Sequence, residues 1–591
     1  MKKNGKSWDD QVFKLVKLTK PVSFVIVLLA IGVCLYDFGF KHRPSVNPFF
    51  QALFNIAIIV GIFSIIIRYL SLKNIPKKKV WLVDGLFLFT LVILLINRIL
   101  GNELPVFSTR QWVFVSLIII LIREYSVINI YLKKQYFNPS LLFISSFILV
   151  ILIGTFLLML PNATYHGISF INALFTSTSA VCVTGLTVVD IGTFFTPLGK
   201  TLLVILIQLG GLGILTFTSY FSYFFKGEPS YNNQLLLKDI TNTSKITEIF
   251  KTLKRIILVT FTIECVGAVL IFFSIKDPVI NNMGERMFFS VFHSISGFCN
   301  AGFSTLHDNL YDFNIRYNYF LQLTIAFLII LGGIGFPIVF NSVHYVKHLI
   351  INRLIPRLKG NESRHVPWVI NINTRIVVIT TLILIVFGTL FFYLFEYHNT
   401  LAEHSGFGKW VVAFFGAVTP RTAGFNNVDT LALNFYTIMM IFFLMWVGAS
   451  PASTGGGIKT STIAISFLNF ISIAKGKDRI EIFKREISNE SVKRAFATIT
   501  LSFIILGFST FLISYFDREK DLRSIAFECF SALGTVGLSL GITTKLTKIG
   551  KLVIICTMLV GRVGMLTILI AIFRKIKHLK YRYPSEEIII N

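Results

Sequence analysis

Four stretches decide the reading of this chain: FTSTSAVCVTGL (175–186), FHSISGFCNAGF (292–303), FFGAVTPRTAGF (414–425) and FECFSALGTVGL (527–538). Each sets a Phe and a Gly at one fixed offset: Phe175 and Gly185, Phe292 and Gly302, Phe414 and Gly424, Phe527 and Gly537. Each has a short residue between them (Ala180, Gly297, Thr419, Ala532), and Leu or Phe follows each Gly. A second glycine landmark trails every stretch, as Leu209-Gly210-Gly211-Leu212-Gly213, Leu331-Gly332-Gly333-Ile334-Gly335, Val447-Gly448 and Val560-Gly561-Arg562-Val563-Gly564. Recurrence at a near-constant interval is the mark of a repeated structural unit.

The surrounding chain explains what that unit is embedded in. Of 591 residues, 54% are hydrophobic and only 14% charged, against about 25% charged in soluble domains. Too few polar groups remain to coat a soluble body, which excludes a cytosolic enzyme, a disordered tail and a disulfide scaffold. A transmembrane helix needs roughly 20 apolar residues. Such runs are read at 22–40, 51–70, 80–98, 112–131, 140–160, 197–224, 255–275, 318–343, 375–396, 433–473, 495–516 and 551–573. The fourth is interrupted by Arg123 and Glu124, and the tenth is too long for one crossing. The 56 basic and 29 acidic residues leave a net charge of +27. Basic clusters at 2–20, 73–79, 133–134, 226–255, 347–375, 475–494 and 574–582 all fall on one side if twelve spans alternate from a cytoplasmic N-terminus. Excess Lys and Arg mark cytoplasmic loops, so the charge reads as topology, with both termini cytoplasmic, and not as a nucleic-acid footprint. The six cysteines form no CxxC pair and suggest no zinc site.

Each unit is then span, short amphipathic piece, glycine loop, span. The piece at about 169–182 is too short to cross and reads as a re-entrant helix. Non-helical backbone at membrane depth is tolerated only where protein buries it or it lines a watery cavity. Glycine permits positive φ and close backbone approach. Four such loops around an axis can present rings of carbonyl oxygens that replace an ion's hydration shell, and helix C-termini favour a cation. Tight helix packing is the competing reading; it suits Gly210 to Gly213 but not loop glycines preceded by Thr184, Asn300 and Thr422.

Over roughly 140–575 the motifs SAVCVTGLTVVD, FCNAGFST, TPRTAGFNN and GTVGLSLGIT resemble the potassium-transporter superfamily of TrkH- and KtrB-type pore subunits. The resemblance implies an all-α polytopic membrane protein with four non-identical pore repeats around one pore. The expected organisation is an N-terminal extension of four helices (1–137), repeats at 138–228, 229–350, 351–475 and 476–591, and a cytoplasmic C-terminus. The implied potassium-binding selectivity filter is Val183-Thr184-Gly185, Asn300-Ala301-Gly302, Thr422-Ala423-Gly424 and Thr535-Val536-Gly537. It departs from a full TVGYG strand in every repeat. Plant-type relatives with Ser at the first filter Gly prefer sodium, so Gly185 implies potassium.

The tenth run contains Gly448-Ala449-Ser450-Pro451-Ala452-Ser453-Thr454-Gly455-Gly456-Gly457-Ile458-Lys459-Thr460. Three consecutive glycines cannot hold a stable helix, which leaves either a kink or a loop. The resemblance implies an intramembrane gating loop (448–460) acting with Arg562, so Gly455, Gly456, Gly457, Lys459 and Arg562 form the implied gate. Arg562 lies within the last span, where a charge is costly and functional by default; pairing with a carboxylate is its structural alternative. Glu528 is expected either to hydrogen-bond structurally or to attract cations, and Cys182 and Cys299 to pack. The resemblance further implies a homodimer and a cytosolic ring of nucleotide-binding regulatory subunits of the TrkA/KtrA type. No GxGxxG fingerprint occurs here to supply that regulation in the same chain.

The four N-terminal spans show no repeat, pore loop or buried charge pair, and a packing or assembly role is expected. Function is expected to be potassium uptake across the cytoplasmic membrane, with no cofactor and with sodium or proton coupling open. A sodium or nonselective channel of the same fold is the nearest alternative. A polytopic membrane enzyme is the remote one, with His293 and Glu528 as its only candidate groups near the loops.

Overall fold

The computed structural model describes residues 5–40, 47–71, 78–99, 110–127, 139–213, 249–275, 282–349 and 371–572. Among them the chain is helical apart from one two-stranded hairpin, Glu481–Ile482 with Arg485–Glu486. The expected boundaries near 138, 228 and 350 lie outside the described residues, as do most of the basic segments at 73–79, 133–134, 226–255, 347–375 and 574–582.

Four N-terminal helices, α1 (Gly5–Gly39), α2 (Asn47–Ser71), α3 (Lys78–Ile99) and α4 (Arg110–Val127), pack on one another. Apolar positions such as Val27, Ile58, Leu91 and Ile120 form their core. The expectation that these spans hold no buried charge pair is overturned. Arg123 donates from Nε to Asp84 Oδ1 at 3.0 Å and from Nη2 to Asp84 Oδ2 at 2.7 Å, both residues being buried. Tyr69 donates to the same carboxylate at 2.7 Å, and Ser64 to Glu124 at 2.8 Å. The partners sit 39 positions apart in sequence, and only the bundle brings them together. Asn162 Nδ2 donates to Phe38 O at 2.9 Å, tying α1 to the start of the first repeat.

The four repeats then follow as first helix, short helix and second helix. The first helices are Pro139–Leu158, Ile249–Ser274, Ile372–Glu396 and Asn489–Phe516. The short helices are Phe170–Val181, Met283–Phe298, Phe407–Val418 and Leu522–Gly534. The second helices are Pro197–Leu212, Tyr319–Ile334, Phe435–Trp446 and Lys548–Val563. Side chains of Thr196, Asn318 and Thr547 cap three of the second helices by accepting backbone N–H bonds. Every second helix packs on the short helix of the next repeat, and the fourth packs on the first, so the ring closes.

Twelve unbroken spans do not result. Five described helices are long and apolar enough to cross a membrane, and six spans are reached if the pair Tyr319–Ile334 and Phe336–Ser342, bent by 102°, counts as one. The runs at 80–98, 112–131 and 140–160 appear as Lys78–Ile99, Arg110–Val127 and Pro139–Leu158, and those at 197–224, 433–473 and 551–573 contain helices that end early. In the second helices the physical reason is the second glycine landmark. Gly213, Gly335 and Gly564 take φ of 77°, 95° and 93° at the ends of their helices, and a residue in that region cannot continue a right-handed helix. The packing expected of Gly210 to Gly213 therefore divides: Gly210 leaves room for the carbonyl of Val181, while Gly213 ends the helix. The tenth run likewise splits into Phe435–Trp446 and Thr460–Ala474 around a loop.

The fourfold Phe pattern holds in three units, where Phe175, Phe292 and Phe527 are fully buried. In the third unit Phe414 is half-buried and Phe415 takes the buried position. This short helix stops at Val418, six residues before Gly424, against four, four and three in the other units, and the longer connection accompanies the shift.

Candidate functional site

The four glycine loops meet in one place. The residue two before each glycine is left-handed: Val183 (φ 57°), Asn300 (61°), Thr422 (76°) and Thr535 (49°). The glycines follow at 93°, 68°, 75° and 96°. Four stretches of different sequence thus share one backbone path. A Cβ built on Gly185 would lie 2.4 Å from Ala301 O, on Gly302 2.4 Å from Ala423 O, on Gly424 2.1 Å from Val536 O, and on Gly537 2.3 Å from Thr184 O. Each glycine therefore makes room for the carbonyl of the next repeat, and the cycle closes after four steps. Any side chain at these positions would push a carbonyl out of the ring.

Hydroxyls behind the loops hold this path, and of these residues only Thr419 is marked by the sequence pattern, as a short residue. Ser179 Oγ accepts from Gly185 N at 3.0 Å, and Ser531 Oγ from Gly537 N at 3.0 Å. Ser296 donates instead to Phe303 O at 2.8 Å, and Thr419 to Phe425 O at 2.7 Å. Their signal is a Ser at one offset before three of the glycines; in the third unit Thr419 makes the bond instead. Each such bond is worth about 1 kcal/mol net.

On one side of the ring opens a cavity of about 490 Å³ that touches Gly185, Gly302, Gly424 and Gly537. Its lining includes Asp190, Asp308 and Asp429 and no lysine or arginine, which favours cations. His307 Nδ1 bonds to Asp190 at this mouth, and that hydrogen bond, with the Asp190 and Asp308 charges, raises the histidine above its ordinary 6.5.

On the other side lies the loop between Phe435–Trp446 and Thr460–Ala474. Val447 and Ile458 bridge its ends. Ser450 N donates to Gly333 O at 3.0 Å, Thr454 N to Gly332 O at 3.3 Å, and Gly456 N to the Thr535 hydroxyl at 3.0 Å. A Cβ on Gly455 would lie 2.2 Å from Thr422 Oγ1. The triple glycine is thus pressed against the floor of the carbonyl cycle and is a loop, not a kink. Arg562 donates to Thr454 O on this loop and to Gly210 O of the first repeat. Lys459 Nζ donates to Gly455 O at 2.8 Å and Gly456 O at 3.4 Å. Among the described residues neither cation is paired with a carboxylate; backbone oxygens hold both.

The remaining candidates are buried. His293 is fully buried, with Nδ1 at 2.9 Å from Phe289 O and Nε2 at 2.9 Å from Ser304 Oγ. Glu528 is fully buried; its Oε1 accepts from Ser539 and, at 2.7 Å, from Thr543, while its Oε2 has no hydrogen-bond partner among the described residues. Cys182 and Cys299 are buried, and a Cβ on Gly211 would meet Cys299 Sγ at 2.4 Å. No group of three or more His, Cys, Asp or Glu residues that could hold a metal occurs among the described residues.

The four glycine–carbonyl contacts thus close a cycle, with an acidic cavity on one side and a loop held by Arg562 and Lys459 on the other. Residues 107–581 match the family model TrkH, described as a cation transport protein, and the chain belongs to that family. It is 36% identical to the Ktr system potassium uptake protein B of Bacillus subtilis, over 77% of this chain and 98% of that protein. It is 34% identical to the potassium/sodium uptake protein NtpJ of Enterococcus hirae, again over 77% and 98%. The crystal structure of the potassium transporter TrkH from Vibrio parahaemolyticus shares the fold, with a TM-score of 0.59 over 83% of this chain and 96% of that one, at 17% identity. The chain is a multi-pass membrane protein of a transport family.

Proposed function

We propose that this chain is the pore subunit of a potassium uptake system in the cytoplasmic membrane. The observation that carries the reading is the closed cycle in which each filter glycine abuts the carbonyl of the next repeat. Potassium enters the acidic cavity, exchanges water for the carbonyls of Thr184, Ala301, Ala423 and Val536, and leaves past the 448–460 loop once that loop moves. The sites are Val183-Thr184-Gly185, Asn300-Ala301-Gly302, Thr422-Ala423-Gly424 and Thr535-Val536-Gly537. Gly455 to Gly457, Lys459 and Arg562 form the gate, with two cations opposing passage at rest. An inside-negative potential supplies about 2.3 kcal/mol per charge per 100 mV, enough to accumulate potassium without a cofactor. The relatives named as potassium uptake proteins support the cargo. The name Ktr system supports a multi-component assembly. Its further parts here are a second copy of this chain and a cytosolic nucleotide-binding ring of the TrkA/KtrA type, with both termini of this chain facing the cytoplasm.

Sodium as a second cargo is the alternative, favoured by the 34% identical relative named for both ions. Growth at low potassium of cells lacking potassium uptake, expressing this chain with a regulatory ring, tests the reading. Rescue is expected, and Gly185→Ser should shift preference toward sodium. Absence of rescue from a well-expressed chain overturns the potassium reading, and an unchanged preference overturns the filter assignment.

A further inference from the structure

The floor of the carbonyl cycle and the glycine loop touch at a bond that neither ion coordination nor gate charge explains. Thr535 closes the fourth short helix at φ 49° and ψ 54°. A β-branched residue in that region is uncommon and strained, and such strain persists only where the surroundings over-determine it and often marks function. Glycine or asparagine would hold the same turn more easily. What threonine adds is a hydroxyl, and the buried Oγ1 accepts the N–H of Gly456 at 3.0 Å. The fit is tight on both sides: a Cβ on Gly456 would lie 2.4 Å from Thr535 Oγ1 and 2.7 Å from its Cγ2. Gly456 is the middle residue of the triple glycine. The equivalent position of the first repeat is Val183, which has no hydroxyl. In the third repeat Thr422 presses on Gly455 and receives a bond from Asn300 Nδ2 at 3.1 Å.

We propose that Thr535 is a latch that holds the gating loop shut against the filter, so that the loop cannot withdraw without breaking its bond to a filter residue. The latch rests on the gate reading above. It places a positioning role on Thr535 separate from its backbone's part in the ring. Backbone N–H groups buried without an acceptor are costly, so removing the hydroxyl destabilises the closed loop and leaves the open one, whose amide is released, less affected. The loop's other attachments, from Arg562 to Thr454 O, from Ser450 N to Gly333 O and from Thr454 N to Gly332 O, do not involve Thr535.

Rubidium tracer flux through the purified full-length protein in liposomes, with no partner added, reads the latch. Thr535→Val keeps the shape and removes the acceptor, and should raise resting flux by about tenfold. Thr535→Ser keeps the hydroxyl and should bring the flux back toward the unsubstituted level. Deletion of Gly455 to Gly457, measured in parallel, reports the gate itself. If the deletion raises flux and Thr535→Val does not, the latch falls and the gate stands. If Val and Ser raise it equally, the hydroxyl is irrelevant and the latch falls. If neither the deletion nor Val raises it, the gate reading falls and the latch with it. Should the Val protein not elute as a single folded species, Thr535→Ala replaces it in the same comparison with Ser.

Discussion

Two arginines within the helical body meet opposite fates in this molecule. In the N-terminal bundle, Arg123 forks onto Asp84 through two bonds of 3.0 and 2.7 Å, and the pair is neutral. Behind the carbonyl cycle, Arg562 donates to the carbonyls of Thr454 and Gly210, and its charge stays uncancelled. Carbonyls satisfy the guanidinium's donors without neutralising it, and that is what a barrier to cations requires. The bundle needs only to bury its arginine, so a carboxylate serves. Intramembrane charge is thus compatible with structure when paired and with function when held by dipoles.

The sharpest way to break this contrast is to remove one partner of each. Arg123→Leu or Asp84→Leu strands a buried charge and should cost about 3–5 kcal/mol, seen as a drop in the detergent unfolding midpoint. The double replacement should recover most of that loss. If the single changes leave the midpoint in place, the pair is not buried in the membrane protein as described. Arg562→Ala removes no ion pair, so it should raise cation flux with a smaller change in midpoint. Reduced or unchanged flux from a normally expressed protein argues against the barrier.

Next in size is the ring. Gly424→Ala sets a Cβ 2.1 Å from Val536 O and imposes a left-handed conformation on alanine, a strain of about 1–3 kcal/mol. Potassium uptake should fall by an order of magnitude or more, with the protein still folded. Uptake at the unsubstituted rate would mean that Val536 O does not line the path. A milder change is Ser531→Ala, which strands the Gly537 amide and should cost about 1 kcal/mol in stability, while Cys182→Ala, at a packing position, should leave ion preference alone.

The smallest effect is expected at the mouth. The bond and charge of Asp190 hold His307 above 6.5, so the protonated pair contributes stability in full below that value. The contribution is lost as pH rises through the raised value. The imidazole is 68% exposed, so solvent screens the pair heavily. The midpoint difference between the unsubstituted protein and His307→Gln should be present well below 6.5 and vanish in alkaline buffer. A difference that grows with pH would reverse the sign.

Much of the site was legible because periodicity survives translation into structure. The four glycines and the residues two before them share dihedrals as they share offsets. The third unit was legible only in part, since Phe414 aligns by spacing but Phe415 takes the buried position. The bonds of the Ser179, Ser296, Thr419 and Ser531 hydroxyls are not legible in the sequence, because the shared offset of the serines marks a position and not the donor or acceptor each one meets. Asp84 and Arg123 lie in different spans, and nothing in either span names the other. The twelve apolar runs overstated continuity because hydropathy averages over the glycines that break the second helices.

Apolar excess, fourfold recurrence and glycine placement belong to the sequence, because burial preference, chain repetition and access to positive φ are properties of residues. The cycle of carbonyls, the loop against its floor, and the different partners of Arg123 and Arg562 belong to the tertiary structure. Each depends on backbone atoms or side chains from distant segments meeting within hydrogen-bond distance. Carbonyl groups are common to every residue, so only the fold decides which of them face an ion.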